Sequence, residues 1–249
     1  RSTLFPYTTL FRSLELDLAP GTADRLLELA RAAQAGSDKQ LQLVRALAAH
    51  AVTSEQLGVV AGLMEGAAAL DGLEVDQDLR WDLLTGLVAA GRSGEEQIRS
   101  EEARDRTTTG RERAAEARAA IPTPEAKRAT WRALIDDVSL PNETQVRVLR
   151  GLTNVERRPE LLVPFVSEYV DIIDSVWSSR TFHMAENLLT GLWSCATVGL
   201  DGADPAAALE GWLESHAQAP AALRRIVREN LDDTRRVARA QAAETGGVQ

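Results

Sequence analysis

A single cysteine, Cys195, stands in the 249 residues, so no intramolecular disulfide can form and packing alone must hold the fold. Free cysteine is commonly a small buried hydrophobe, and Cys195 is read as one in a reducing, cytoplasmic setting. No uninterrupted apolar run approaches the ~20 residues of a membrane-spanning helix. Basic residues are the minority, 28 against 37 acidic, and the net charge of −9 argues against a general nucleic-acid binder. The expectation is a globular chain that binds neither membrane nor nucleic acid.

The chemistry of sites is also thin. HExxH is missing, and His50, His183 and His216 have no second His or Cys at helical ligand spacing, so no zinc site is written in this chain. Each is read as a solvated or core-edge imidazole. A GxSxG elbow, a phosphate-binding glycine loop and a Cys–His pair are absent too. The acidic pairs Glu95-Glu96 and Asp136-Asp137 read as exposed faces. The sequence therefore offers no catalytic residue and no metal ligand.

What is present is helix. Apolar residues make up 44%, charged residues 26% and aromatics only 4%, and abundant Ala, Leu, Arg and Glu favour an all-α fold. The best-specified stretch runs from Asp76 to Gly91. Asp76 can cap the first turn, Asp78 suits the positive end of the helix dipole, and Gly91 can close the last turn in the left-handed conformation. Leu79, Leu83 and Leu87 form a stripe that Trp81, Leu84 and Val88 widen to about half the circumference, which implies neighbours on two sides. Arg80 falls inside that apolar arc. Its guanidinium cannot lose its proton, so it requires a partly buried ion pair, with Glu101, Glu102 and Asp105 as the acidic candidates.

Cap signals divide the rest of the chain from Leu14 into about a dozen short antiparallel helices. Thr22 or Asp24, Ser37, Thr53, Ser93 and Thr123-Pro124 mark starts, as do Pro141-Asn142, Pro164, Thr181 and Pro220. One helix is expected to end near Thr107–Gly110 and the next to run from Arg111 to Ala120. Pairs recurring at roughly 40 residues are the arithmetic of a HEAT-like α-α superhelix, with an irregular bundle as the alternative. Residues 1–13 stand apart, with no alanine or acid, but with Phe5, Tyr7 and Phe11. They resemble a translated sequencing adapter and are set aside as non-native. The domain proper is placed at 14–243, and the tail 244–249 is expected to fray.

On the last helix Arg224, Arg228, Arg235 and Arg239 share one face, flanked by Arg225 and Arg236. Such a stripe is either a solvated surface offset by Glu229, Asp232 and Asp233, or a seat for carboxylates.

Several segments, taken in order, carry a resemblance: Asp76-x-Asp-Leu-Arg-Trp81, Asp105-x-Thr-x-Thr-Gly110, Ala119-Ala-Ile-Pro-Thr-x-Glu-x-Lys127 with Trp131, Pro164-Phe-Val-x-x-Tyr169 with Trp177, and Ala222-Leu-Arg-Arg-x-Val227. Together they resemble the C-terminal helical domain of actinobacterial-type aminopeptidase N, shared with endoplasmic-reticulum aminopeptidases. The resemblance implies a domain that caps the active site of a zinc peptidase that removes N-terminal amino acids. As a HEAT-like bowl it would enclose a cavity admitting short peptides and excluding folded proteins. Its partners would be the catalytic domain of the same polypeptide and those peptides, and the arginine stripe of the last helix makes Arg224 and Arg228 the candidates to receive the peptide carboxylate. Zinc, HExxH and the Gly-x-Met-Glu-Asn motif would lie in that other domain, because Met184-Ala185-Glu186-Asn187 has the wrong order and sits mid-helix. The chain alone is thus expected to bind no catalytic zinc and cleave nothing. A stand-alone α-solenoid interaction module is the alternative.

Overall fold

The structure, a computed structural model, describes residues 12–246, with side chains described from Gly21 to Ala243. Residues 1–11 of the segment set aside, and 247–249 of the tail, lie outside that range. Among the described residues there are twelve α-helices and no strand. They are α1 (Arg12–Ala32), α2 (Asp38–His50), α3 (Ser54–Glu65), α4 (Gln77–Ala89), α5 (Glu95–Arg104), α6 (Thr108–Ala120), α7 (Pro124–Asp136), α8 (Asn142–Thr153), α9 (Phe165–Ser179), α10 (Phe182–Leu192), α11 (Pro205–Ser215) and α12 (Ala221–Gly246). From Leu14 the chain divides into two compact units, Leu14–Pro122 and the part from Thr123 onward.

Local chemistry sets most boundaries. The side chains of Ser37, Thr53, Asp76, Thr107, Thr123 and Asp204 each accept a hydrogen bond from a first-turn backbone N–H, which would otherwise be an orphan. Three starts differ from the sequence reading. Gly94 rather than Ser93 caps α5, and its N–H donates to Gln97 Oε1 at 3.0 Å. The fifth helix ends at Arg104, and Thr107 opens α6 instead of closing its predecessor. The first helix runs through Thr22 and Asp24, and the Asp24 carboxylate accepts from Gln56 Nε2 at 2.7 Å.

In the first unit α4 is central. Leu79, Leu83 and Leu87 pack with Val44 and Leu47 of α2 and Val60 and Leu63 of α3, whereas Trp81, Leu84 and Val88 pack with Ile98 of α5 and the alanines of α6. Both halves of the wide stripe are used. Each fully buried leucine contributes about 1.5–3 kcal/mol of transfer free energy. Gly91 ends the helix at φ +71°, with the N–H of Arg92 returning to Leu87 O at 2.9 Å and that of Gly91 to Val88 O at 2.8 Å. Helices α2, α4 and α6 lie side by side, with α3 against α4 and α5 against α6.

The second unit repeats that plan. Helices α8, α10 and α12 form one layer and α9 and α11 adjoin in the other, where α7, α9 and α11 back α8, α10 and α12 respectively. Its core is richer in aromatics, with Trp131 stacked on Phe165 at 4.6 Å and Tyr169 tilted on Trp193 at 4.8 Å.

Candidate functional site

Arg80 holds the most buried carboxylate of the ion pairs in the first unit, Glu101. Its Nε and Nη2 donate to Glu101 Oε1 and Oε2 at 2.8 and 2.7 Å, and Nη1 donates to Met64 O at 2.7 Å. Gln77 Nε2 adds a bond to Glu101 Oε1 at 2.8 Å. The side chains of Arg80 and Glu101 are 17% and 2% exposed. Burial works against the Glu101 carboxylate, but the bonds from Arg80 and Gln77 outweigh it and leave its pKa below the usual value. The same pairing raises the Arg80 pKa. The other two acidic candidates are occupied elsewhere, since Glu102 takes Arg118 at 2.7 Å and Asp105 takes the Trp81 indole N–H at 2.9 Å. Asp105 also accepts from the Thr107 hydroxyl and N–H, at 2.6 and 3.2 Å, and its pKa falls accordingly.

The contact with Met64 O belongs to a device that recurs in both units. The last carbonyls of a helix lack intrahelical donors and carry partial negative charge, so a cation from another element can seat there. Arg80 does so at the end of α3. Lys127 Nζ donates to Gly151 O in the last turn of α8 at 3.0 Å. Arg180 Nη2 reaches Leu134 O and Ile135 O at the end of α7, at 2.9 and 2.6 Å. Arg224 Nη1 reaches Leu213 O and His216 O at the end of α11, at 2.7 and 2.6 Å. Lys127 is fully buried, and desolvation pulls its amine down to about 7.

The arginines of α12 divide by partner. Arg224 is spent partly on carbonyls, Arg225 pairs with Glu186 and Glu229, Arg235 with Glu210 and Arg236 with Asp233. Arg228 and Arg239 are exposed.

One set of side chains has the composition of a nucleophile–base–acid triad. His216 Nε2 lies 3.2 Å from Asp174 Oδ2, and Nδ1 lies 2.9 Å from Ser215 Oγ. It cannot work as one. Nδ1 is also 2.9 Å from the carbonyl of Trp212, which requires that nitrogen to carry a proton, and the Ser215 hydroxyl donates to Gly211 O at 2.8 Å. A serine proton has no base to go to. His183 contacts Asn187. Among the described residues no group of three or more His, Cys, Asp or Glu could hold a metal ion. Cys195 is half-buried, not fully buried, with Sγ 3.8 Å from Thr234 Oγ1.

The sequence profile described as the ERAP1-like C-terminal domain matches residues 2–236. The chain belongs to that family. Aminopeptidase N of Streptomyces lividans is 41% identical over 219 residues, a stretch that covers 88% of this chain and 25% of the relative. The chain thus spans about a quarter of that protein's length.

In this ERAP1-like domain the segments that carry the resemblance bind each other. Trp81 meets Asp105, Asp105 meets Thr107, and Thr107 Oγ1 caps the N–H of Gly110 at 2.9 Å. A Cβ on Gly110 would stand 2.2 Å from Asp105 O, so no larger residue fits without movement. Thr123 caps α7 and Lys127 ties that helix to α8. The Tyr169 hydroxyl donates to Leu189 O at 2.7 Å and accepts from Asn230 Nδ2 at 2.9 Å, and burial pushes its pKa up. These motifs lock helices to one another rather than assemble a reaction centre. The carbonyl partners of Lys127 and Arg180 were not legible in the sequence, although Lys127 stands in a segment that carries the resemblance. For Lys127 there was a signal, because it shares a helical face with Trp131 and Leu134.

No helix among the described residues is long and apolar enough to cross a membrane.

Proposed function

We propose that this chain is the C-terminal cap domain of a zinc-dependent aminopeptidase that removes N-terminal amino acids from peptides. The observation that carries the reading is the 41% identity to an aminopeptidase N of which the chain spans only a quarter. A segment of that size, built of helix-locking contacts and with no metal-binding group among its described residues, fits an accessory role in a larger enzyme. Zinc does not fit the histidines present here, so the metal, its ligands and the general base are assigned to an upstream domain of the same polypeptide.

On this reading the two-layered helices wall a cavity over the active site and limit the size of the peptides that enter. Arg228, exposed on α12, and Arg224 beside it are the cations assigned to the peptide carboxylate. The setting is cytoplasmic and the partners are short peptides and the catalytic domain, with no nucleic acid and no membrane.

The test is the genomic sequence upstream of the codon for Leu14. An HExxH motif in the same reading frame supports the cap reading. An in-frame stop with no such motif supports the interaction module instead.

A further inference from the structure

A groove of about 440 Å³ opens in the first unit between the end of α3, the loop 66–75 and the ends of α4 and α5. Part of its lining is aliphatic: Met64, Leu70, Leu73 and Val75 are packed against the core on one side and only partly buried. Two further lining residues, Glu65 and Arg104, bear charge of opposite sign. They flank Arg80, whose Nη1 holds the carbonyl preceding Glu65 and whose carboxylate partner Glu101 lies 4.0 Å from Arg104 Nε.

The charges in the groove are unequally committed. Arg80 and Glu101 neutralise each other in a bidentate pair, and Arg80 spends three of its five N–H donors on Glu101 and the Met64 carbonyl. Arg104 is 60% exposed, makes no hydrogen bond among the described residues, and touches only a carboxylate that already takes three donors. Glu65 is exposed and pairs with no cation among the described residues. The groove therefore presents one open cation, one open anion and an aliphatic wall. A simple fatty acid would leave Glu65 unmatched and repelled, and an alkylamine would do the same to Arg104. A small molecule that carries a carboxylate, an ammonium and an aliphatic branch matches all three features.

We propose that this groove binds a free aliphatic α-amino acid, with its carboxylate on Arg104, its ammonium on Glu65 and its side chain on the wall of Met64, Leu70, Leu73 and Val75. Such a molecule is what an aminopeptidase releases, so the proposal rests on the function above for its meaning and makes the groove a product sensor. Binding itself does not depend on that function, and it can be read on this chain with no catalysis involved.

The experiment is a calorimetric titration of the 249-residue chain with L-leucine, N-acetyl-L-leucine, L-leucinamide and glycine. Leucine is expected to bind saturably and one to one. Removal of either charge should weaken binding about tenfold, the size of a lost charge-assisted hydrogen bond. Glycine, without the aliphatic branch, should bind at least about tenfold more weakly. In the Glu65→Gln variant the penalty for N-acetylation should vanish while that for amidation stays; Arg104→Gln should give the reverse. Both residues are exposed, and unchanged helicity by circular dichroism confirms that the variants fold. No saturable leucine binding, or binding that neither substitution alters, overturns the proposal. A full-length gene product that hydrolyses no peptide would remove the sensor's purpose but leave leucine binding intact, so the two failures are distinguishable.

Discussion

The indole N–H of Trp81 donates to Asp105 Oδ2 at 2.9 Å, and one residue earlier in the same helix Arg80 grips Glu101. Two consecutive side chains of α4 thus clamp α5 and the turn that follows it. Both are demands that a helix cannot meet alone, since a buried indole N–H and a guanidinium each need an acceptor.

Removing one partner should be costly. Arg80→Ala leaves Glu101, only 2% exposed, without its cation, and is expected to lower stability by roughly 3–5 kcal/mol. The double variant Arg80→Met, Glu101→Leu should recover most of that loss, because no buried charge is left unpaired. Urea unfolding of the three proteins measures both effects.

Gly110→Ala tests the neighbouring clamp. Its new Cβ would lie 2.2 Å from Asp105 O, and overpacking against backbone is expected to cost about 1–3 kcal/mol or more. Because Asp105 holds Trp81, an altered tryptophan emission should accompany the loss. An unchanged spectrum at wild-type stability would contradict the clamp.

Lys127 gives a pH dependence with a definite sign. Its folded-state value of about 7 lies below the ordinary 10.5, so between those values the unfolded chain binds more protons than the folded one. The contribution to stability is at its lower level below about pH 7 and rises as the pH climbs toward 10.5, by roughly 5 kcal/mol in all. Lys127→Met should flatten that rise and stabilise the protein near neutrality. Denaturation midpoints across this window decide it, and an identical slope in the variant would refute the assignment.

The start and end of α4 were legible because capping and C-terminal glycine chemistry act within a few residues, as at Asp76 and Gly91. The demand of Arg80 for a partner was legible from its place in the apolar arc, although the choice of Glu101 over Glu102 or Asp105 needed coordinates. Contacts that reach far along the chain were not legible. Arg180 serves carbonyls 45 and 46 residues away, and Lys127 serves one 24 residues away; periodicity reveals a face but not what stands opposite it. Arg224 shows the same limit, because the stripe on α12 marked it as an anion seat while its Nη1 turns toward the end of α11. Gly94 displaced Ser93 as the cap since Gln97 already serves its N–H.

Arg228 is the cleaner probe of peptide capture, because Arg224 also holds α11. Arg228→Glu in the full-length gene product is expected to raise KM for free-carboxylate tripeptides more than for their amides. Equal changes for both would remove Arg228 from the proposed carboxylate site.

The most direct measurement compares leucyl-anilide hydrolysis and bound zinc in two proteins, the full-length gene product and residues 14–249 alone. On the cap reading, chelator-sensitive turnover with stoichiometric zinc is expected in the full-length product, and a helical but inactive, zinc-free shorter chain. Stoichiometric zinc with chelator-sensitive turnover in residues 14–249 alone would contradict it.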